Sequence, residues 1–283
     1  MSDITYDLND LIYLMQRLRD PQDGCPWDLE QSYETIVPST IEEAYEVADA
    51  IEQGDITSLR EELGDLLFQT VFYSQLASEE GHFSLPEVIS ELVEKLVRRH
   101  PHVFPEGTLN SRKGDNLNSS GAVLQQWEDI KSEERSDKGH TSILDDVPRA
   151  FPALLRAQKL QKRAARVGFD WNEASEVFAK FEEELDEIKQ AVSSGSKDQT
   201  EEELGDLLFT CVNLVRKLGC DSETALRRAS LKFEQRFRLM ELREGADKLK
   251  SMNTEELEEL WEESKKILAA TDKKKVEPDS SPV

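Results

Sequence analysis

Two stretches of the chain are near copies of one another, and this duplication constrains the fold more than any other feature. Glu61-Glu62-Leu63-Gly64-Asp65-Leu66-Leu67-Phe68 returns as Glu202-Glu203-Leu204-Gly205-Asp206-Leu207-Leu208-Phe209, and Glu42-Glu43-Ala44-Tyr45-Glu46 returns as Glu183-Glu184-Leu185-Asp186-Glu187. Both pairs share one offset, since 203−62 and 184−43 each equal 141. Looser echoes flank them: Gly24-Cys25-Pro26-Trp27 against Gly168-Phe169-Asp170-Trp171, and Lys95-Leu96-Val97-Arg98-Arg99 against Lys232-Phe233-Glu234-Gln235-Arg236. Two units make a duplicated domain and not a solenoid, which needs at least about three.

Within each copy, apolar residues recur at i, i+3, i+4. This spacing predicts helices at about 7–19, 36–53, 56–80 and 86–99, and again at about 149–166, 174–193, 197–218, 222–244 and 254–269. No convincing strand alternation occurs, so the expected class is all-α, with two tandem four-helix domains. The polar, glycine-rich stretch Gly107–Gly121 reads as a loop or linker, followed by a probable helix at 122–135. The expected division is therefore a helical domain at 1–105, a linker containing that helix at 106–148, a second helical domain at 149–270, and a disordered tail at 271–283, whose apolar content is too low to fold.

Acids outnumber bases 59 to 35 in the 283 residues, a formal net charge of −24. Such a field repels nucleic acid and anionic membrane, so neither is an expected partner. A small phosphorylated ligand stays open, because a bound cation inverts the local sign. Cys25, Cys211 and Cys220 form no CxxC pair and read as reduced thiols, as in a cytoplasmic protein. The acidic start and the lack of a long apolar run predict neither a signal peptide nor a membrane span.

The acids of the repeat are spaced for one helix face. Glu43 and Glu46 lie three apart on one predicted helix, Glu62 and Asp65 on the next; Glu184/Glu187 and Glu203/Asp206 repeat the arrangement. Short connections through Gly54 and Gly195 make each helix pair antiparallel neighbours, so four carboxylates can converge. Around the Glu62 helix, Leu63, Leu66, Leu67, Phe68 and Phe72 flank the acids on both sides. A helix apolar nearly all round is expected to be buried, and its acids with it. Clustered buried carboxylates need a counter-charge, and hard oxygen donors suit Mg²⁺ shared with substrate phosphates. The mid-helix Gly64 and Gly205, each costing about 1 kcal/mol against alanine, suggest close approach of a helix or ligand.

Other metal chemistries fit less well. A di-iron carboxylate bundle wants Glu-x-x-His, and none of His82, His100, His102 and His140 lies three after a clustered acid. His100-Pro101-His102 reads as an exposed loop pair. No His-Asp pair and no GxxxxGK[ST] occurs. Arg60-Glu61-Glu62-Leu63-Gly64 is superficially similar to a Nudix box, but the spacing fails and the context is helical. A non-catalytic metal- or nucleotide-binding regulatory protein remains the rival class.

Taken together, GCPWDLEQS, the two EExxE…EELGDLLF units, RRHPHVF, RAQKLQKRAARVGFDW and KFEQRF resemble the MazG family of nucleoside triphosphate pyrophosphohydrolases, over about residues 7–268. The resemblance implies two tandem MazG-type domains and a homodimer. It also implies Mg²⁺-dependent cleavage between the α- and β-phosphates of ribo- and deoxyribonucleoside triphosphates, with broad base acceptance. Carried over by position, the family's metal ligands fall on Glu184, Glu187, Glu203 and Asp206. Its nucleotide contacts fall on Lys180, Phe181, Glu182, Glu183 and Glu184; on Gln199, Thr200, Glu201, Glu202 and Asp206; on Lys232, Phe233, Glu234, Gln235 and Arg236; and on Trp261.

On that basis Glu183 is expected to orient or deprotonate the attacking water, and Glu43, Glu46, Glu62 and Asp65 form a candidate second metal site. By pattern alone Trp261 reads as a packing residue, and Trp27 and Trp171 as core or helix-entry anchors. The copies differ where phosphates are expected. Lys180 corresponds to Ser39 and Asn213 to Phe72, so the C-terminal copy is the expected working site.

Overall fold

Side-chain caps set where several of the helices start. The computed structural model describes residues 5–112, the positions Gly121, Val123, Gln126, Trp127, Ile130, Lys131 and Glu134, and residues 141–276. Its described residues are helical or irregular, without strands, and they divide into two compact units, Met1–Arg135 and Ser136–Val283.

In the first unit α1 (Leu8–Leu18) begins with a capping box, the Asp7 carboxylate accepting from Asn9 and Asp10 while Asp10 accepts from the Asp7 amide. A four-residue turn, α2 (Pro26–Leu29), leads to α3 (Tyr33–Gln53), which Ser32 and Thr35 cap reciprocally. That cap starts α3 earlier than the sequence reading, which began it at 36, close to Pro38. At the end of α3, Gly54 takes the left-handed conformation, φ +72°, and Asp55 donates to Ala50 O. This closing turn aims α4 (Ile56–Glu79) back along α3. Then α5 (Leu85–Arg99) follows, with Glu87 accepting from the Ser84 amide and hydroxyl.

Met15, Ile36, Val71, Phe72, Leu76 and Leu85 form the core of this unit. Arg19, at the end of α1, is drawn into it: the guanidinium pairs with Glu79, donates to Asp28 O, and lies 5.4 Å from the Phe72 ring centroid. Further along, the described positions from Gly121 to Glu134 are helical, and Glu134 pairs with both Arg98 and Arg99 of α5. Those two guanidinium groups, Arg99 first, hold the Glu134 carboxyl down to about 2.

The second unit contains α6 (Ala153–Ala165), α7 (Ala174–Ser194), α8 (Lys197–Lys217), α9 (Ser222–Glu244), the short α10 (Ala246–Leu249) and α11 (Thr254–Val276). Gly195, φ +76°, turns α7 into α8 as Gly54 does in the first copy. α6 is fixed by two glutamines. Gln161 donates to Phe209 O at 2.8 Å, and Gln158 accepts from the Ser222 amide and hydroxyl. α9 folds against α11 around Met240, Leu249 and Leu260. α11 runs on to Val276, so the expected tail at 271–283 is helical in its first residues; 277–283 lie outside the described residues.

Several expectations about burial fail. Leu63 and Leu67 are 51% and 45% exposed, and Leu204, Leu208 and Phe209 are 44%, 59% and 45% exposed. The apolar residues beside the acids are therefore left uncovered, although α1, α3 and α5 bury the later part of α4 around Val71, Phe72 and Leu76. The acids share that exposure: Glu62 and Glu203 are half-buried, while Asp65 and Asp206 are exposed. A Cβ placed on Gly64 or Gly205 meets nothing within 4 Å, so no close approach within the chain requires these glycines. Trp27 is 63% exposed and anchors no core. His100 and His102 are half-buried, not an exposed pair, and His100 Nδ1 lies 2.6 Å from Leu96 O.

Candidate active site

Helical spacing on α7 and the tight Gly195 turn bring the acids of α7 and α8 together. One carboxylate oxygen from each of Glu184, Glu187 and Glu203 lies within 4.8 Å of the others. Glu184 is buried, 3% exposed, while Glu187 and Glu203 are half-buried. Asp206, the fourth predicted ligand, is exposed and outside this trio. It still acts on it electrostatically. Burial, and then repulsion by Glu187, Asp206 and Glu184, push Glu203 above the usual carboxylate value.

The first copy builds a related group from a different trio, Glu43, Glu62 and Asp65, with Glu46 exposed and outside it. Glu43 is raised by burial and then by Asp65, Glu46 and Glu62; Glu62 is raised by burial and then by Glu46 and Asp65. Beside this group Glu46, Asp49, Gln53, Asp55, Ser58 and Glu62 contribute to the wall of a cavity of about 170 Å³. The sequence reading passed over Asp49 and Asp55, because Asp55 looks like, and is, a helix cap.

One cation separates the copies. Lys180 Nζ lies 2.9 Å from Glu184 Oε1 and 3.0 Å from Glu183 Oε1, and these two bonds, Glu184 first, raise the lysine above its ordinary value. Ser39 stands at the matching position of the first copy. Glu183 is exposed, with its side chain 58% accessible, and belongs to no acid trio. Phe181 is half-buried and Glu182 exposed on the same helix. Gln199, Glu201 and Glu202 are exposed on the first turns of α8, and Thr200 donates to Ser196 O, tightening that turn.

The remaining predicted nucleotide contacts lie on α9 and α11. Trp261 of α11 packs 5.2 Å from the Phe233 ring, with the Arg236 guanidinium 5.5 Å from its own ring centroid. Glu234 pairs with Arg238, while Lys232 and Gln235 are exposed. Among the described residues this aromatic–arginine cluster makes no ion pair with the acids of α7 and α8. α9 packs mainly against α11 and α6.

Asn213 needs reassignment. It is 4% exposed, and its Oδ1 accepts from Arg216 Nη2 at 3.1 Å. Arg216 and Lys217 in turn clamp Asp170. The Asn213/Phe72 difference is in this structure a difference in buried side chains, the amide engaged by Arg216 in one copy and the ring packed in the core of the other. The loop clamp itself was not legible in the sequence, because the Gly-x-x-Trp echo before α7 sets Asp170 opposite Pro26 and gives no sign of the acid's role.

All-oxygen donors within 4.8 Å of one another, with excess negative charge, suit a hard divalent cation and exclude a thiolate or imidazole site. Comparison with known proteins agrees with this chemistry. The MazG nucleotide pyrophosphohydrolase domain matches residues 31–104 and 173–238, which contain both acid groups. A protein of Escherichia coli (strain K12) named nucleoside triphosphate pyrophosphohydrolase is 50% identical over 260 residues, 90% of this chain and 96% of that protein. One from Thermotoga maritima, named nucleoside triphosphate pyrophosphohydrolase/pyrophosphatase MazG, is 44% identical over 90% of this chain and 94% of its own length. A Mycolicibacterium smegmatis protein with the pyrophosphohydrolase name is 37% identical over 57% of this chain and 47% of that protein. With identity at this level across nearly the whole chain, and with both copies of the acidic motif inside the matched segments, the protein belongs to the MazG nucleotide pyrophosphohydrolase family.

Proposed function

We propose that the protein hydrolyses ribo- and deoxyribonucleoside triphosphates to the monophosphate and pyrophosphate, with broad base acceptance, chiefly at its C-terminal copy. The observation that carries this reading is the Glu184–Glu187–Glu203 trio with Lys180 at its edge. Glu184, Glu187 and Glu203, with Asp206 close by, would hold Mg²⁺. Bound there, Mg²⁺ supplies positive charge at the α-phosphate, where negative charge develops during attack.

The chain's own groups do the rest. Lys180, Lys232 and Arg236 neutralise the outer phosphates, arginine being able to bind bidentately. Trp261 and Phe233 offer an apolar, base-indifferent surface, in keeping with broad acceptance. Glu183, outside the metal trio and exposed, orients or deprotonates the attacking water, its exposure leaving it free to exchange protons with solvent.

The working form is a homodimer in the cytoplasm. Its support is the open apolar row on α8 and three free cysteines. No helix among the described residues is long and apolar enough to cross a membrane. Phosphorus NMR of products formed in ¹⁸O water tests the bond cleaved. Label is expected in the monophosphate, with pyrophosphate released; label in free orthophosphate overturns the assignment. Light scattering at micromolar concentration tests assembly, and the mass of a single chain would contradict the dimer.

A further inference from the structure

The two copies share a backbone hairpin and a cluster of acids, yet among the described residues a lysine ion-pairs with only one of the two acid groups. Glu184 is the most buried acid of its trio, and its side chain, 4% accessible, is paired with Lys180. A carboxylate so far from water needs a counter-charge. The lysine is not itself locked in. Its side chain is 34% accessible and sits on a flexible four-carbon stem, so it can swing off Glu184 without disturbing the helix.

Resting on the reading of the trio as a metal centre, we propose that Lys180 stands in for the metal in the unloaded C-terminal site and couples metal binding to nucleotide binding. A divalent cation approaching Glu184 alone must displace an ammonium and then sit beside it. When a triphosphate arrives as well, the displaced ammonium gains the phosphates as its new partner. Metal and nucleotide therefore favour one another, and by linkage the effect is reciprocal. The same exchange breaks the 3.0 Å ion pair of Lys180 with Glu183, so the group that handles water loses its neutralising partner when substrate is present. The first copy has Ser39 in place of the lysine and lacks this competition.

The test uses the full-length chain carrying Glu62→Gln to weaken the first acid group. Mn²⁺ binding is followed by electron paramagnetic resonance, with and without an α,β-methylene nucleoside triphosphate. In the lysine-containing protein the analogue is expected to tighten Mn²⁺ by at least about fivefold, after correction for the analogue's own metal binding. Lys180→Met and Lys180→Ser are each expected to tighten nucleotide-free Mn²⁺ binding by a similar factor and to bring the coupling close to one. If either variant, with native helical circular dichroism, binds Mn²⁺ no more tightly than its parent, the coupling role is overturned. That failure is distinct from failure of the metal centre, in which no Mn²⁺ site sensitive to Glu203→Gln exists even with the analogue.

Discussion

Replacing Glu203 with glutamine keeps the side chain's size and removes one charge from a trio whose oxygens lie within 4.8 Å of one another. Glu203 is held above the usual carboxylate value by burial and by Glu187, Asp206 and Glu184. Removing its charge relieves repulsion in the metal-free fold while deleting one of the proposed metal ligands. Activity and stability should therefore part company. Loss of preorganised charge at a transition state costs about 10²–10³ in rate, so kcat/KM for pyrophosphate release should fall by at least that much. The metal-free unfolding midpoint should hold or rise. Glu62→Gln makes the same change in the first copy, where no lysine occupies position 39, and should leave most of the turnover. The assay is pyrophosphate release from mixed nucleoside triphosphates with magnesium, beside thermal unfolding in chelator. Equal loss from both variants, with assembly intact, would refute the division of labour between the copies.

Other outcomes follow from the packing and the charges. Arg19→Met strands Glu79 and the carbonyl of Asp28; with the arginine side chain only 7% accessible, urea denaturation should show a loss of about 3–5 kcal/mol in the first unit, and a loss below 1 kcal/mol would discredit the anchor. Glu43, Glu62 and Glu203 have raised folded values, so the folded chain takes up these protons more readily than the unfolded one, and their ionisation destabilises the fold at neutral pH. The metal-free unfolding midpoint should thus climb as pH falls through those raised values, and a saturating divalent cation should flatten the climb; a fall over the same range without metal would contradict the repulsive cluster. Gly205→Ala places a methyl in open space within the chain and should stabilise it by about 1 kcal/mol at low protein concentration, while weakening self-association if a partner helix crosses there; destabilisation of the lone chain would show that the methyl is not accommodated.

The helical hairpins were legible in the sequence because repeat, periodicity and capping residues agree. Asp55 and the left-handed Gly54 and Gly195 each mark an end that local chemistry alone determines, whereas the Ser32 cap, which starts α3 before residue 36, went unread. The convergence of acids was legible only in part: three of the four expected acids gather in each copy, and three-residue spacing did not show that Glu46 would stay out of one group and Asp206 out of the other. Burial was not legible. Periodicity shows that Leu204 and Leu208 are apolar, but not whether anything lies over them. Nor did sequence distinguish Asn213 from a phosphate ligand, because its role depends on Arg216 and Asp170, the latter 43 positions away in the chain. Trp261 carries both readings at once, packed against Leu260's cluster yet facing Phe233 and Arg236.

The uncovered row of Leu204, Leu208 and Phe209 bears on how the molecule survives dilution. If the proposed homodimer joins through such a ridge, association adds to the stability of each chain, and robustness becomes a property of abundance. Dilution would then lower stability, and a scarce chain would be the one most exposed to unfolding. Heat tolerance should rise with protein concentration, and a chain carrying one disabled site should be rescued in fold, though not in chemistry at that site, by pairing with an intact copy.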